Sequence, residues 1–292
     1  MQGFLNLNKP VGPTSHDMVA KVRRLVGRKL KVGHAGTLDP AASGILPIAI
    51  GAATRLIEYL ADAEKGYRAL VRLGATTTTD DAEGEIISTA PVPPLDAALV
   101  EAALVGFRGE IMQVPPMFSA LHHEGQRLYD LARAGKHVDI PARPVTIHRL
   151  ELAELAPPLL KLDITCSKGT YIRSLARDLG AALGCGAHLA GLERTFVGGF
   201  RLAQSVTWAE LEAEPERIAE WILPIDLALN AWPALHLDAE GARRVRHGMP
   251  VDGGDPQAER MRAYAPDGTL LAVLERAGAQ WRPTKVLQGA EQ

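Results

Sequence analysis

Apolar and polar positions alternate along this chain in short blocks of changing period, with no internal repeat and no low-complexity tract. Thr14 and Ser15 can cap a helix whose apolar stripe is Met18, Val19, Val22, Leu25 and Val26, stopped by Gly27. Residues 67–73 alternate as a half-buried strand does, and a polar turn over 74–84 follows. Helical spacing returns over 95–107, and again over 125–135 with Leu128, Leu131 and Ala132. Residues 145–155 and 159–167 look like paired strands on either side of Pro157-Pro158. The stretch 170–183 carries Ile172, Leu175, Ala176, Leu179 and Leu183 at helical spacing. A strand over 188–202 with a break at Gly198-Gly199 comes next, then an acidic helix over 209–221. The pattern changes near Asn230-Ala231-Trp232-Pro233. Beyond it lie a short strand at 235–237, a capped helix over 238–247, a hairpin across Pro266-Asp267-Gly268 and a last strand over 281–287. A compact module of this kind places a domain boundary close to residue 231, giving domains 1–231 and 232–292.

Composition narrows the class. The chain has 292 residues, 47% of them hydrophobic, enough for a sizeable core. Its net charge of −2 makes no global case for a polyanionic partner, but the charge is unevenly placed. Lys9, Lys21, Arg23, Arg24, Arg28, Lys29 and Lys31 face only Asp17 in the first 35 residues, whereas 205–230 is acidic. A basic front of that density fits a nucleic-acid surface. Cys166 and Cys185 have no CxxC partner, so they are expected to pack as reduced, small hydrophobes, and no zinc-ligand spacing occurs. No basic N-terminal region leads into an apolar run. The longest uncharged stretch, 40–54, is broken by Gly44, Pro47 and Gly51 and falls short of the ~20 residues of a membrane span. A soluble, cytoplasmic protein is expected, monomeric because no sustained heptad appears.

Chemistry concentrates in a few blocks. Gly33-His34-Ala35-Gly36-Thr37-Leu38-Asp39-Pro40 sets one carboxylate five residues after a histidine, and no ionisable side chain follows until after Thr54. A lone acid between glycine turns and an apolar run should be rigidly held and partly desolvated, which makes it a better base or nucleophile. Cys166-Ser167-Lys168-Gly169-Thr170-Tyr171-Ile172-Arg173 joins a strand to a helix and ends on a cation able to grip a carboxylate at two points. Lys65-Gly66-Tyr67 puts an aromatic at the head of a strand. Val114-Pro115-Pro116-Met117-Phe118-Ser119-Ala120 with 125–133, and Asn8-Lys9-Pro10-Val11-Gly12-Pro13-Thr14-Ser15, complete the set.

In this order the blocks closely resemble the TruB-type tRNA pseudouridine synthases, which isomerise the T-arm uridine at tRNA position 55. The resemblance runs from Asn8 to Pro283. It implies an α+β fold, with a mixed, antiparallel-rich central sheet and flanking helices, followed by a small β-rich PUA-like module that binds RNA. It implies Asp39 as the nucleophile or base, Arg173 holding it ionised and aimed, and Tyr67 stacking on the uracil close to C5. Tyr171 and Leu192 would complete the pocket wall. His34, five residues before Asp39, is placed to fill the space left by the flipped base or to hold the flipped strand, and Asp81 falls where the family keeps an acid near the site. Lys9, Arg23, Arg24, Lys29 and Lys31 would be phosphate contacts, which position RNA without reading it.

The reaction breaks the bond from C1′ to N1, turns the base and joins C1′ to C5. It is redox-neutral and needs no phosphate donor, so no cofactor and no metal are expected, in keeping with a chain that has neither GxGxxG nor GxxxxGK[ST]. Attack at C1′, addition to the uracil ring and proton removal from C2′ are all open to Asp39. Base flipping must come first, at a cost of about a few kcal/mol. A glycoside hydrolase would want two carboxylates flanking the bond, where this chain offers Asp39 with an arginine. A non-catalytic tRNA-folding chaperone could use the same surfaces, and a guide-directed synthase would carry further partner-binding segments.

Overall fold

The computed structural model describes residues 1–119, 122–123, 126–127 and 138–287. Its main body is a mixed sheet whose strands run in the order Val206–Thr207, Gly3–Lys9, Ala42–Ile50, Ala187–Val197, Lys65–Leu73, Leu159–Cys166, Arg143–Ala156 and Gly109–Gln113. Two of these pairings are parallel, Gly3–Lys9 with Val206–Thr207 and Ala42–Ile50 with Ala187–Val197; the others are antiparallel. The expected α+β class with an antiparallel-rich sheet is the one observed.

The uncharged run at 40–54 has a packing cause. Ala42–Ile50 lies deep in the sheet and is covered on both faces, so its alternate side chains enter different cores. Ala42, Leu46, Ile48 and Ile50 pack under the helix Ser15–Val26, while Ile45 and Ala49 enter a separate core with Phe4, Leu56 and Phe200. Lys65–Leu73 alternates as expected. Tyr67, Ala69, Val71 and Leu73 face the helix Ile172–Ala182, and Arg68 and Arg72 are exposed. Both cysteines are buried and free, and burial pushes the Cys166 thiol up to about 11.

Leu192 pairs with Ala42 on one side and Ala69 on the other, so its side chain points to the face that carries both helices. It touches the core under Ser15–Val26 and the core under Ile172–Ala182. The site lies where those two cores meet.

The second sheet runs Ala234–His236, Arg260–Tyr264, Leu270–Ala277, Gln280–Val286, and the helix Ala239–Arg246 packs on one side of it. Its other side carries Tyr264, Leu270 and Val273 into one core with Phe4, Leu56, Leu60, Val197, Phe200 and Leu229. The small sheet is therefore built onto the back of the large one.

Three elements differ from expectation. The acidic helix over 209–221 stops at Ala213 and resumes as a 3-10 turn, Pro215–Trp221, because Pro215 has no N–H to continue the ladder. The polar turn over 74–84 begins as a strand, Ala75–Thr77, paired with Ile86–Thr89. Of the helix expected over 125–135, Gln126–Arg127 pairs with His122–His123 instead, and the rest lies outside the described residues.

Candidate active site

Asp39 sits at the end of the loop between Val32–His34 and Ala42–Ile50, and every turn of that loop is tied from behind. The buried hydroxyl of Ser15 accepts from the Leu38 N–H at 2.9 Å and donates to the Leu38 carbonyl at 3.1 Å. The Gly12 N–H donates to the Pro40 carbonyl at 2.9 Å, and the Ala42 N–H to the Asp39 carbonyl at 3.0 Å. Ser15 is thus more than the start of a helix: Thr14 is the N-cap, closing a capping box with Asp17, which frees Ser15 to clamp the loop. The expectation of a rigid carriage for Asp39 holds. The side chain itself is 45% exposed, so the carboxylate is half-buried and open on one side.

Arg173 grips this carboxylate, with Nη2 at 3.1 Å from Asp39 Oδ2. It lies in the first turn of Ile172–Ala182 on the inward stripe, and its side chain is only 9% exposed. Nη1 stands 3.5 Å from Asp81 Oδ2 and donates to the Thr79 carbonyl at 3.2 Å, while Nη2 also donates to the Phe118 carbonyl at 2.9 Å. Asp81 is buried. One of its oxygens accepts from the Glu83 N–H at 3.1 Å and from the Thr79 hydroxyl, so it is a fixed counter-charge behind Arg173 rather than part of the open wall.

Tyr67 is buried, and its phenol is pushed up by burial against the opposing influence of Arg194. Tyr171 caps the same helix as Arg173 and is half-buried. Its N–H donates to Gln113 Oε1 at 2.8 Å, and its carbonyl accepts from Gln113 Nε2 at 3.1 Å. This two-point contact ties the edge strand Gly109–Gln113 to the helix start. Leu192 lies opposite Ala42, three residues on from Asp39. His34 is half-buried, and burial followed by the Arg194 charge lowers its pKa and favours the neutral ring; its Nδ1 is buried without a hydrogen-bond partner among the described residues.

Lys9 differs from expectation. It is fully buried, and its ammonium donates to the carbonyls of Pro10 and Pro13 at 2.9 Å and of Pro40 at 3.4 Å. It is a strut under the Asp39 loop, turned away from any phosphate, and burial lowers its pKa to about 8. Arg23 is half-engaged as well, donating to the Val32 carbonyl at 3.0 Å, whereas Arg24, Lys29 and Lys31 are exposed.

One buried residue escaped the reading of the chain. Arg194 is 1% exposed and lies opposite Gly44 and Tyr67, close beneath the Asp39 loop. The signal was present: it stands two residues after Leu192, and in a strand those positions share a face.

No group of His, Cys, Asp and Glu able to hold a metal ion occurs among the described residues. A carboxylate open on one side, a buried guanidinium on the other and an aromatic wall can receive a flat, uncharged ring and act on it with an anion.

The fold matches solved structures that share this architecture. The chain superposes on one from a crystal structure of a Cbf5–Nop10–Gar1 complex with a TM-score of 0.75, at 26% identity, covering 98% of this chain and 85% of that one. A chain from the structure of an H/ACA RNP bound to a substrate RNA containing 2′-deoxyuridine gives 0.76 at 25% identity, covering 99% and 86%. These place the molecule among the pseudouridine synthases by fold. The family model for the N-terminal domain of TruB family pseudouridylate synthases matches residues 23–172. The tRNA pseudouridylate synthase B C-terminal domain model matches 173–230, and the tRNA pseudouridine synthase II C-terminal model matches 232–288. The tRNA pseudouridine synthase B of Burkholderia lata is 46% identical over 98% of this chain and 90% of its own length. The Pseudomonas aeruginosa protein of the same name is 49% identical over 94% and 92%. The chain belongs to the TruB family of pseudouridylate synthases.

Proposed function

We propose that this chain is the tRNA pseudouridine synthase that converts the T-arm uridine, position 55, to pseudouridine, acting as a monomer in the cytoplasm. Residues 1–231 carry the chemistry and 232–292 add RNA contacts. The names of the bacterial relatives support tRNA as the substrate. The observation that carries the reading is the Asp39–Arg173 ion pair, a half-open carboxylate fixed by a nearly buried guanidinium at 3.1 Å. Attack at C1′, addition to the ring and proton removal from C2′ all start from an ionised carboxylate, and Arg173 keeps it so and aims it. Tyr67 lies on the same face, where it can stack on the uracil and take part in loss of the C5 proton. Tyr171 and Leu192 close the wall. His34, neutral and with a free ring nitrogen, can meet the gap left by the flipped base without adding charge there.

Release of tritium from tRNA labelled at uridine C5 tests this directly. One equivalent per tRNA is expected from the wild type and none from Asp39→Asn, with tRNA binding kept. Turnover by Asp39→Asn within tenfold of wild type would overturn the assignment.

A further inference from the structure

Arg194 is a buried cation in a position where a core needs none. Its Nε donates to the Ile45 carbonyl at 2.7 Å, Nη1 to the Thr37 carbonyl at 3.2 Å and Nη2 to the Gly36 carbonyl at 3.0 Å. Each nitrogen of the fork thus holds a different carbonyl, two of them on the loop that ends in Asp39. No carboxylate lies within ion-pair distance of it among the described residues. A buried charge without a counter-ion is costly, and burial works against the charged form here. Local rules are broken in this way mostly where function requires it.

The strand register shows what the charge reaches. Arg194 pairs with Gly44 across the parallel ladder and with Tyr67 across the antiparallel one, so its side chain shares a face with the Tyr67 ring, and the two groups interact electrostatically. Gly44 permits the approach: a Cβ there would lie 2.2 Å from the Arg194 carbonyl oxygen, at a φ of +103°. Other charged groups crowd the same point. Lys9, Lys65 and His34 each lose proton affinity to Arg194, and Asp39 acts on both Lys9 and Tyr67. One planar group therefore joins the backbone carrying the carboxylate to the aromatic on the neighbouring strand.

We propose that Arg194 is a positioning residue for the isomerisation: it fixes the Gly36–Thr37 backbone that presents Asp39 and stands directly across the ladder from Tyr67. The proposal rests on the reading of Asp39 as the reacting group. Lysine at 194 keeps the charge but cannot serve three diverging carbonyls, because its donors radiate from a single nitrogen.

The test is Arg194→Lys, compared with wild type and Asp39→Asn for single-turnover tritium release from C5-labelled tRNA, tRNA affinity and thermal midpoint. A displacement of about 1 Å at reacting atoms can cost roughly 100-fold in rate, and a loss of that size at saturating tRNA is expected for Arg194→Lys, with affinity unchanged. Arg194→Gln, which also removes the charge, should fall at least as far. Conversion by Arg194→Lys at the wild-type rate would overturn the proposal. So would a loss that merely tracks the unfolded fraction, or a failure of Arg194→Lys to fold, either of which would make the residue structural only. Activity in Asp39→Asn would instead overturn the reading of the site itself, so the two failures are distinguishable.

Discussion

At the scale of single residues, the site is a small carboxylate held by many indirect hands. Arg173 alone reaches the Asp39 and Asp81 carboxylates and the carbonyls of Thr79 and Phe118, so it joins four segments of chain. Arg173→Lys keeps a cation but loses the planar fork. Single-turnover conversion should fall by about 100-fold or more with tRNA affinity retained, and unchanged activity would show that the pairing is idle. The buried lysines give a pH signature. Burial lowers the Lys65 ammonium from 10.5 to about 8, while its Nζ caps the Ala61 and Ala63 carbonyls at 3.0 and 2.9 Å. Between those two values the unfolded chain holds a proton that the folded chain has released. Stability therefore rises with pH across that window, and the cost of the buried charge is in full force below about 8. Urea denaturation between pH 8 and 10 should show this rise. Lys65→Met should remove its share and leave that of Lys9, which shifts the same way. A slope identical in both proteins would refute the assignment.

Elements made the site legible to different degrees. The strand Lys65–Leu73 and the helices Ser15–Val26 and Ile172–Ala182 were readable because each has one covered face, so period and burial coincide. Asp39 and Arg173 were readable because their motifs are local in sequence. What was not readable is whatever depends on pairing across the sheet. Lys9 looked like a surface cation at the head of the chain, yet the strand Gly3–Lys9 delivers its ammonium under Pro40. Arg194 is marked locally only by sharing a face with Leu192, and the register alone sets it beside Gly44 and Tyr67. Ser15 read as part of a cap because its partner, Leu38, is remote in sequence. The same pairing yields a prediction at this scale. Gly44→Ala would force a methyl onto the Arg194 backbone at a φ that side chains avoid, and should destabilise by at least about 3 kcal/mol in urea titration. Its residual folded fraction should be less active per molecule than wild type, because Arg194 is displaced. Full stability in Gly44→Ala would show that the two strands slide freely there.

For the whole molecule, the question is how the two sheets share RNA binding and stability. A boundary near residue 231 suggests that 1–231 could stand alone, but the small sheet covers core residues of the large one. Tyr59 and Trp232 meet edge-on at 4.9 Å, Arg260 lies 5.6 Å from both rings, and the Tyr264 hydroxyl donates to Asp226 at 2.7 Å. Removing 232–292 should therefore lower the thermal midpoint as well as tRNA affinity, so truncation cannot isolate the electrostatic contribution. Charge neutralisation on the intact chain can. The arginines of the second sheet are largely engaged: Arg243 with Glu240, Arg260 with Glu275, Arg244 with the Pro250 carbonyl and Arg262 with the Trp232 carbonyl. Arg28, Lys29 and Lys31 are exposed and form no ion pair among the described residues, which leaves them free for phosphates. Each phosphate contact adds roughly 0.7–0.9 to the slope of log affinity against log salt. Changing Arg28, Lys29 and Lys31 together to glutamine should lower that slope by about 2 and leave single-turnover conversion at saturating tRNA unchanged. Changing Arg243 and Arg260 should lower it less, because those cations already face carboxylates. Equal slopes for wild type and the triple variant would mean that the basic front, for all its density in the sequence, does not touch the RNA.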